Sequence, residues 1–277
     1  MTENLIEARN KIIVAVDVPT VEEALKLIED LRECVGYFKV GLQLIIHLAL
    51  RGWTASLAEQ IMVAKFFDLL KGRLFLDGKF MDIPNTVALT SKEIATMGVK
   101  MFNIHCFGGS EMMKAAKQTV VEVCGDGKRP IILGVTLLTS LDYENLVEMG
   151  ICNGLDITGE GKKEIEQAHI EHLVVNLAQL SQECGLDGVI ASPKEIKAIR
   201  KCCEPGFLII TPGVRSEKAA VGDQKRVMTP REAIKAGADY LVIGREITQP
   251  QRETSVEAAK RIAEDIAKAI SEMEKEE

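Results

Sequence analysis

Eight short apolar runs, each followed by a segment whose apolar residues have helical spacing, recur along the whole chain. The runs occupy residues 12–18, 37–44, 74–80, 101–107, 130–138, 188–192, 207–214 and 240–247. Mainly apolar strands that alternate with helices are typical of a parallel sheet with covered faces. Because no change of composition marks a linker, the eight units predict an α/β protein with one (β/α)8 TIM barrel domain over residues 1–277.

Three segments are longer than a compact barrel requires. Two of them, near 52–72 and 150–169, are interpreted as insertions. A helix is predicted over 54–70, and we interpret it as an elaborated barrel helix in preference to a partner-binding element. The third is the C-terminal tail from about residue 267. In addition, the polar connection 215–229 has a length that is typical of a lid or a binding loop.

Composition excludes several classes of function. A formal net charge of −7 and a pI near 5.4 argue against non-specific binding to nucleic acid or to anionic membranes. Seven cysteines without a CxxC pair fit reduced thiols in the cytoplasm. The N-terminus lacks the apolar core of a signal peptide, and the longest apolar run is too short for a membrane span. The sequence therefore predicts a cytoplasmic protein with no nucleic-acid or membrane partner.

The third run continues into a charged stretch, LFLDGKFMDIPNT, at residues 74–86. Side chains alternate along a strand, so Asp77 and Lys79 are expected on one face. Asp82 follows the strand and precedes a helix that starts at Pro84. A surface ion pair and a helix cap are the alternative interpretations of these charges.

Charged residues also occur on the first two strands, where Asp17 and Lys39 lie. Neighbouring strands of a barrel would place them beside Asp77 and Lys79. An alternating array of this kind favours charged lysines, since each ammonium has a carboxylate neighbour. A charged lysine is a proton donor and a fixed positive charge, and it is not a Schiff-base nucleophile.

The last two strands end in sequences suited to phosphate. Strand seven continues into PGVR, with Arg215, and strand eight contains IGR, with Gly244 and Arg245. Phosphate sites in TIM barrels frequently follow these two strands. Backbone amides near a glycine, with arginines that bind in a bidentate manner, predict a phosphate site there.

No metal or cofactor pattern is evident in the sequence. His169 and His172 are spaced as helix neighbours without a carboxylate or cysteine that completes a ligand set. His105, near the end of strand four, is interpreted equally well as a ligand contact or as a packed side chain. No glycine-rich nucleotide loop is present. We therefore expect a site that works without metal or cofactor.

These motifs together resemble the orotidine 5'-phosphate decarboxylase family. The resemblance rests on DGKFMDIPNT, with AVD, FKVG, VTLLTS, TPGVR, DQKR and VIGREIT in the same order along the barrel. It implies conversion of orotidine 5'-phosphate to UMP and carbon dioxide by a cofactor-independent carboxy-lyase, the last step of de novo pyrimidine nucleotide synthesis. It also implies a homodimer with shared active sites.

The resemblance also assigns roles to residues. Lys39, Asp77 and Lys79 are implied as catalytic residues of one subunit, with Asp82 as a catalytic residue and Thr86 as a binding residue from the other subunit. The implied substrate-binding residues for ribose, pyrimidine and phosphate are Asp17, Lys39, Asp77, Thr139, Arg215, Gln224, Gly244 and Arg245.

Two other functions remain open from the sequence. A magnesium-dependent keto-sugar-phosphate decarboxylase on the same scaffold shares the D-x-K-x-x-D pattern but usually lacks I-P-N-T. A non-catalytic barrel that senses a nucleotide would bind UMP without turnover. Metal dependence and turnover separate the three functions.

Overall fold

The strands of the computed structural model form one closed parallel sheet. The structure describes residues 3–51, 56–154, 161–216 and 228–275. The strands are β1 Ile12–Ala15, β2 Tyr37–Gly41, β3 Leu74–Phe80, β4 Met101–His105, β5 Ile131–Val135, β6 Gly188–Ile190, β7 Leu208–Pro212 and β8 Tyr240–Ile243. They are joined in sequence order, and β8 pairs with β1 to close the barrel. The predicted TIM barrel is confirmed.

Helices surround this barrel and connect successive strands. They are α1 Glu3–Asn10, α2 Val21–Leu31, α3 Leu42–Arg51, α4 Leu57–Leu70, α5 Pro84–Thr96, α6 Gly109–Cys124, α7 Tyr143–Glu148, α8 Lys162–Glu183, α9 Ile196–Cys202, α10 Pro230–Lys235, α11 Arg245–Thr248 and α12 Ser255–Met273. Short 3-10 turns occupy Cys106–Gly108, Asp126–Lys128 and Pro193–Glu195. Within the described residues, no helix is both long and apolar enough to cross a membrane.

Alternation along the strands divides the core into two parts. In β1, Ile12 and Val14 pack in the large cluster between strands and helices, whereas Ile13 and Ala15 belong to a smaller cluster. The smaller cluster fills the barrel interior with Ile13, Ala15, Phe75, Met101, Leu133, Ile210 and Val242. The interior is thus a packed apolar core, and the inward positions beyond it form the carboxyl-terminal mouth.

Seven of the eight strands are shorter than the sequence predicts, and only β3 has its predicted length. The run 37–44 leaves the sheet at Gly41, and its apolar residues from Leu42 onward begin α3. The run 240–247 likewise ends as a strand at Ile243, with α11 starting at Arg245. The first strand ends at Ala15. Because the apolar run passes from strand into helix without a break in two of these cases, hydrophobicity alone does not mark the boundary.

The helix predicted over 54–70 is present as α4 from Leu57, while residues 52–55 lie outside the described residues. Ser56 caps its N-terminus in a reciprocal capping box with Glu59. Phe66 and Leu70 are buried in the core around the barrel. This packing fits an elaborated barrel helix, and the status of 52–72 and 150–169 as insertions stays a prediction.

Candidate active site at the carboxyl end of the barrel

A pocket of about 310 Å³ opens at the mouth of the barrel. Its charged lining continues the inward positions of the strands, since Asp17 follows Ala15 by two residues and Asp77 follows Phe75 by two residues. Predicted site residues that line the pocket are Asp17, Lys39, Asp77, Lys79, Thr139, Arg215, Gly244 and Arg245. The strand periodicity thus brings residues from distant parts of the sequence into one cavity.

Four of these residues form an unbroken chain of alternating charge. The Lys39 ammonium lies 3.3 Å from Oδ1 of Asp17 and 2.9 Å from Oδ2 of Asp77. The Lys79 ammonium lies 2.6 Å from Oδ1 of Asp77. Both Asp77 oxygens are therefore occupied by lysines, and we call Asp17, Lys39, Asp77 and Lys79 the charge array. The predicted clustering of these charges is confirmed.

Burial differs sharply along the charge array. The side chains of Lys39 and Asp77 are only 12% and 8% exposed, whereas that of Lys79 is 34% exposed. Solvent screening is weak for the buried pair and stronger at the Lys79 end. The array thus anchors Lys79 from below while its ammonium remains accessible to a bound molecule.

The array sets the protonation of its buried members. Burial acts to lower the pKa of Lys39, but attraction to Asp77 and Asp17 outweighs it, so the pKa lies above its ordinary value. Burial acts to raise the pKa of Asp77, but Lys39, Lys79 and the Asn103 amide outweigh it, so that pKa lies below its ordinary value. Lys39 is therefore an ammonium and Asp77 a carboxylate at neutral pH.

Lys79 has an unusual backbone conformation. Its φ is 48°, and among the residues that the structure describes it is the only non-glycine residue with a positive φ. The pairing of β3 with β4 also shifts register between Leu76 and Phe80. A positive φ costs a residue with a side chain roughly 1–2 kcal/mol, so the surrounding structure must hold it. The bulge directs the Lys79 side chain to the pocket.

The two predicted phosphate arginines line the same pocket after β7 and β8, which lie four and three positions from β3 around the barrel. Arg215 follows β7, and its backbone N–H donates to the Met228 carbonyl at 3.0 Å, so the chain on either side of 217–227 is held together. Arg245 is the first residue of α11, directly after Gly244. Residues 217–227, which include the predicted Gln224, lie outside the described residues.

A network of hydrogen bonds joins the two arginine-bearing segments. The Glu246 carboxylate accepts from the Ser216 backbone N–H at 3.0 Å and from Arg261 at 3.1 Å. Arg261 also donates to the Ser216 hydroxyl at 2.9 Å and to Glu253 at 2.7 Å. Since Ser216 follows Arg215 and Glu246 follows Arg245, α12 fixes the spacing of the two arginines.

Comparisons with known proteins agree with this arrangement. The model of the orotidine 5'-phosphate decarboxylase / HUMPS family matches residues 10–262. The chain belongs to this family. Curated orotidine 5'-phosphate decarboxylases from Trichlorobacter lovleyi and Geobacter sulfurreducens are 44% and 45% identical to it. Those alignments cover 95% and 87% of this chain and 98% and 90% of the relatives.

A solved structure supports the same relationship. The crystal structure of orotidine 5'-phosphate decarboxylase from Lactobacillus acidophilus superposes with a TM-score of 0.70 at 29% identity. The superposition covers 92% of this chain and 98% of that one. The barrel and nearly its whole length are therefore shared with this member of the family.

Asp82 and Thr86, which the family resemblance assigns to the site, do not line this pocket. Residues 81–86 are all exposed, and the Asp82 carboxylate accepts from the backbone N–H of Ile83 at 2.6 Å. Two large apolar side chains, Met81 and Ile83, are 56% and 66% exposed in the same segment. The structure therefore does not bring Asp82 to Lys79 of its own chain.

The described residues contain no group of three or more histidine, cysteine, aspartate or glutamate side chains placed to hold a metal ion. His105 is half-buried at the end of β4, and its ring lies 5.5 Å from that of Phe107. Burial, followed by the charge of Lys79, lowers the pKa of His105. The histidine is thus neutral at physiological pH.

Three residues of the site were missed by the sequence analysis. Asn103 on strand four was given no role, although it contacts both Asp77 and Lys79. Glu246 was also given no role, because no local motif indicates its contact with Arg261. Gly41 lies where an added Cβ would be 3.3 Å from both Asp17 Oδ1 and Lys39 Nζ. For Asn103, the two-residue strand period from Met101 was an available signal.

Proposed function

We propose that the chain catalyses the decarboxylation of orotidine 5'-phosphate to UMP and carbon dioxide. The observation that carries this proposal is the charge array, which presents the Lys79 ammonium in a pocket that is also lined by Arg215 and Arg245, after strands three or four positions from β3 around the barrel. A pyrimidine nucleotide has its reacting ring and its phosphate at opposite ends, which matches this division. The curated relatives bear the name of this activity.

The reaction makes an electrostatic demand that the array meets. When the bond between the ring carbon C6 and the carboxylate breaks, the electron pair stays on C6 in the plane of the ring. The ring π system cannot delocalise that pair. The Lys79 ammonium stabilises the developing charge and then donates a proton to C6, which yields UMP and a neutral lysine that regains its proton from solvent. Preorganised charges in a water-poor site act strongly on such an intermediate.

The other members of the array hold Lys79 and the substrate. Asp77 fixes the Lys79 ammonium at 2.6 Å. It also lies beside the departing carboxylate of the substrate, and the repulsion between the two carboxylates destabilises the bound substrate, as a secondary contribution. Asp17 and Lys39 bind ribose hydroxyls, and Thr139 binds the pyrimidine. These roles require no metal or cofactor, because the two ammonium groups supply the positive charge.

The phosphate is bound by Arg215, Gln224, Gly244 and Arg245. Because the phosphate is remote from the reacting carbon, its binding energy can be used to stabilise the transition state. Phosphate contacts therefore affect turnover as well as affinity. The Glu246–Arg261 network supports this role, since it fixes the residues next to both arginines.

The active enzyme is proposed to be a homodimer with shared sites. In it, Asp82 and Thr86 approach the Lys79 of the partner chain and extend the alternating array. This proposal is supported by the exposed segment 81–86, in which Met81 and Ile83 present apolar surface beside Asp82. An exposed apolar surface next to a functional carboxylate is typical of a subunit interface.

Ultraviolet absorbance with orotidine 5'-phosphate tests the activity directly. We expect consumption of the substrate at a rate that a chelator leaves unchanged. A protein that binds UMP but does not turn over orotidine 5'-phosphate would instead be a nucleotide-sensing barrel. Turnover of a keto-sugar phosphate that stops on chelation would identify the magnesium-dependent activity and contradict the proposal.

Mixing two inactive variants tests the shared site. We expect Lys79→Ala and Asp82→Asn to recover about a quarter of the wild-type activity after subunit exchange, because half of the dimers are mixed and each has one intact site. The control is a mixture of Lys79→Ala with Asp77→Ala, whose lesions fall in one subunit's share of the site and permit no recovery. Equal behaviour of the two mixtures, with exchange verified by mass spectrometry, contradicts a shared site.

A further inference from the structure

Asn103 lies beneath the charge array on β4 and is fully buried, with 0% of its surface exposed. Its side-chain oxygen accepts from the backbone N–H of Lys79 at 2.7 Å. Its amide nitrogen donates to Oδ1 of Asp77 at 2.7 Å. A backbone N–H only donates, so the orientation of the amide is fixed and its NH2 group must face the carboxylate.

These two contacts hold the backbone of Lys79 and the carboxylate of Asp77 in place. The first holds the backbone of Lys79 where its φ is 48° and where the β3–β4 register shifts. The second fixes the Asp77 oxygen that also accepts from the Lys79 ammonium at 2.6 Å. One side chain thereby ties the backbone of Lys79 to the carboxylate that orients the end of the same lysine.

We infer that Asn103 is a positioning residue for decarboxylation, which sets the direction of the Lys79 ammonium through both its backbone and its carboxylate partner. This inference rests on the proposed function, in which Lys79 is the proton donor. Serine, alanine or ionised aspartate at this position cannot make both contacts. An amide side chain of this length combines an acceptor for Lys79 with an uncharged donor for Asp77 at every pH, whereas aspartate does so only when it is protonated.

The surroundings of Asp77 make aspartate the most informative replacement. Asp77 is faced by Lys39 from β2, by Lys79 from its own strand and by Asn103 from β4, with Asp17 beyond Lys39. His105 also lies within the electrostatic influence of Lys79. In Asn103→Asp, one carboxylate oxygen still accepts from Lys79, while the other faces Asp77 as a like charge. Two carboxylates at that distance favour a shared proton.

The ratio of variant to wild-type kcat across pH tests the inference. For Asn103→Asp we expect kcat to fall on the order of 100-fold at alkaline pH, as for a misplacement of reacting groups by about 1 Å. The ratio should rise as pH falls, because protonated aspartate donates to Asp77 as the native amide does. A ratio that is flat across pH, or a wild-type kcat, would overturn the inference.

A second variant and a control separate positioning from folding. Asn103→Ala is expected to lower kcat by a similar factor with a flat ratio across pH, since it has no group to titrate, and to retain UMP binding. Ser181→Ala removes another fully buried polar side chain, whose hydroxyl donates to the Leu177 carbonyl at 2.8 Å. Ser181 does not line the pocket. It should change the melting temperature and leave kcat unchanged. Wild-type kcat in Asn103→Ala contradicts a positioning role.

Hydrogen exchange in the wild-type protein supplies a readout that needs no activity. The Lys79 backbone amide should exchange slowly despite its place in a bulge, because its N–H is bonded to a buried acceptor. Rapid exchange would overturn the inference even if decarboxylation is observed. Slow exchange in a protein that does not turn over orotidine 5'-phosphate would overturn the proposed function and leave the Asn103 contact in place.

Discussion

Lys79→Ala is expected to lower kcat for orotidine 5'-phosphate by at least about 10⁴-fold. The side chain supplies both proton donation, which typically contributes about 10²–10⁴-fold, and a preorganised charge, which contributes about 10²–10³-fold. Affinity for UMP should change little, because UMP has no carboxylate or carbanion at C6. Steady-state kinetics and calorimetric titration with UMP measure the two effects.

A matched lysine provides the control for this variant. Lys197 is exposed on α9 and does not line the pocket, so Lys197→Ala should retain wild-type kcat. Near-normal turnover by Lys79→Ala would refute the role of Lys79 as proton donor. Loss of UMP binding in parallel with kcat would show that the replacement damages the pocket as a whole.

Arg245→Ala is expected to produce the second-largest effect, in kcat/KM. Hydrogen bonds to charged groups contribute roughly 1.5–3 kcal/mol each. Two of them from one guanidinium to a phosphate therefore correspond to a loss of about 10²–10⁴-fold. Part of the loss should appear in kcat, because binding energy from the remote phosphate is expected to contribute to stabilisation of the transition state. The exposed Arg252, which does not line the pocket, is the control.

Separating the phosphate from the substrate sharpens this test. With a truncated nucleoside that lacks both the phosphate and the 5'-CH2O group, the wild-type protein should turn over slowly and be activated by free phosphite. Arg245→Ala should lose most of that activation, since phosphite occupies the same cationic site. If phosphite activates the variant and the wild type equally, Arg245 takes no part in binding the phosphate.

The barrel was predictable from the sequence because its strands and helices have distinct periods. The eight runs and the helix at Pro84 needed only hydrophobic patterning and a proline signal. The boundaries were less predictable, as the run 37–44 shows, since Leu44 is buried in α3 just as Val40 is buried in β2. The polar helix α1 gave no hydrophobic signal, and it is held by contacts such as that of Asn4 with Ser271.

Strand alternation predicted which charged side chains meet at the mouth of the barrel, but not the backbone conformation that holds Lys79 there. Asp17, Lys39 and Asp77 follow the inward period and meet at the mouth. Lys79 was expected on the same face as Asp77, but its positive φ and the shift of register between β3 and β4 were not predictable, since lysine has no preference for that conformation. The inward position of Asn103 follows from the two-residue period from Met101, whereas its hydrogen bond to the Lys79 backbone depends on the bulge. The Glu246–Arg261 contact joins residues 15 positions apart that no local motif connects.

Affinity for a UMP analogue that carries an oxyanion on C6 measures the stabilisation of an in-plane negative charge by Lys79. Such an analogue should bind the wild-type protein at least about 10²-fold more tightly than UMP, as transition-state analogues do. Lys79→Ala should lose that preference while it retains its affinity for UMP. Equal affinities of the analogue and UMP for the wild-type protein, or a preference that survives the loss of Lys79, would contradict decarboxylation driven by this ammonium.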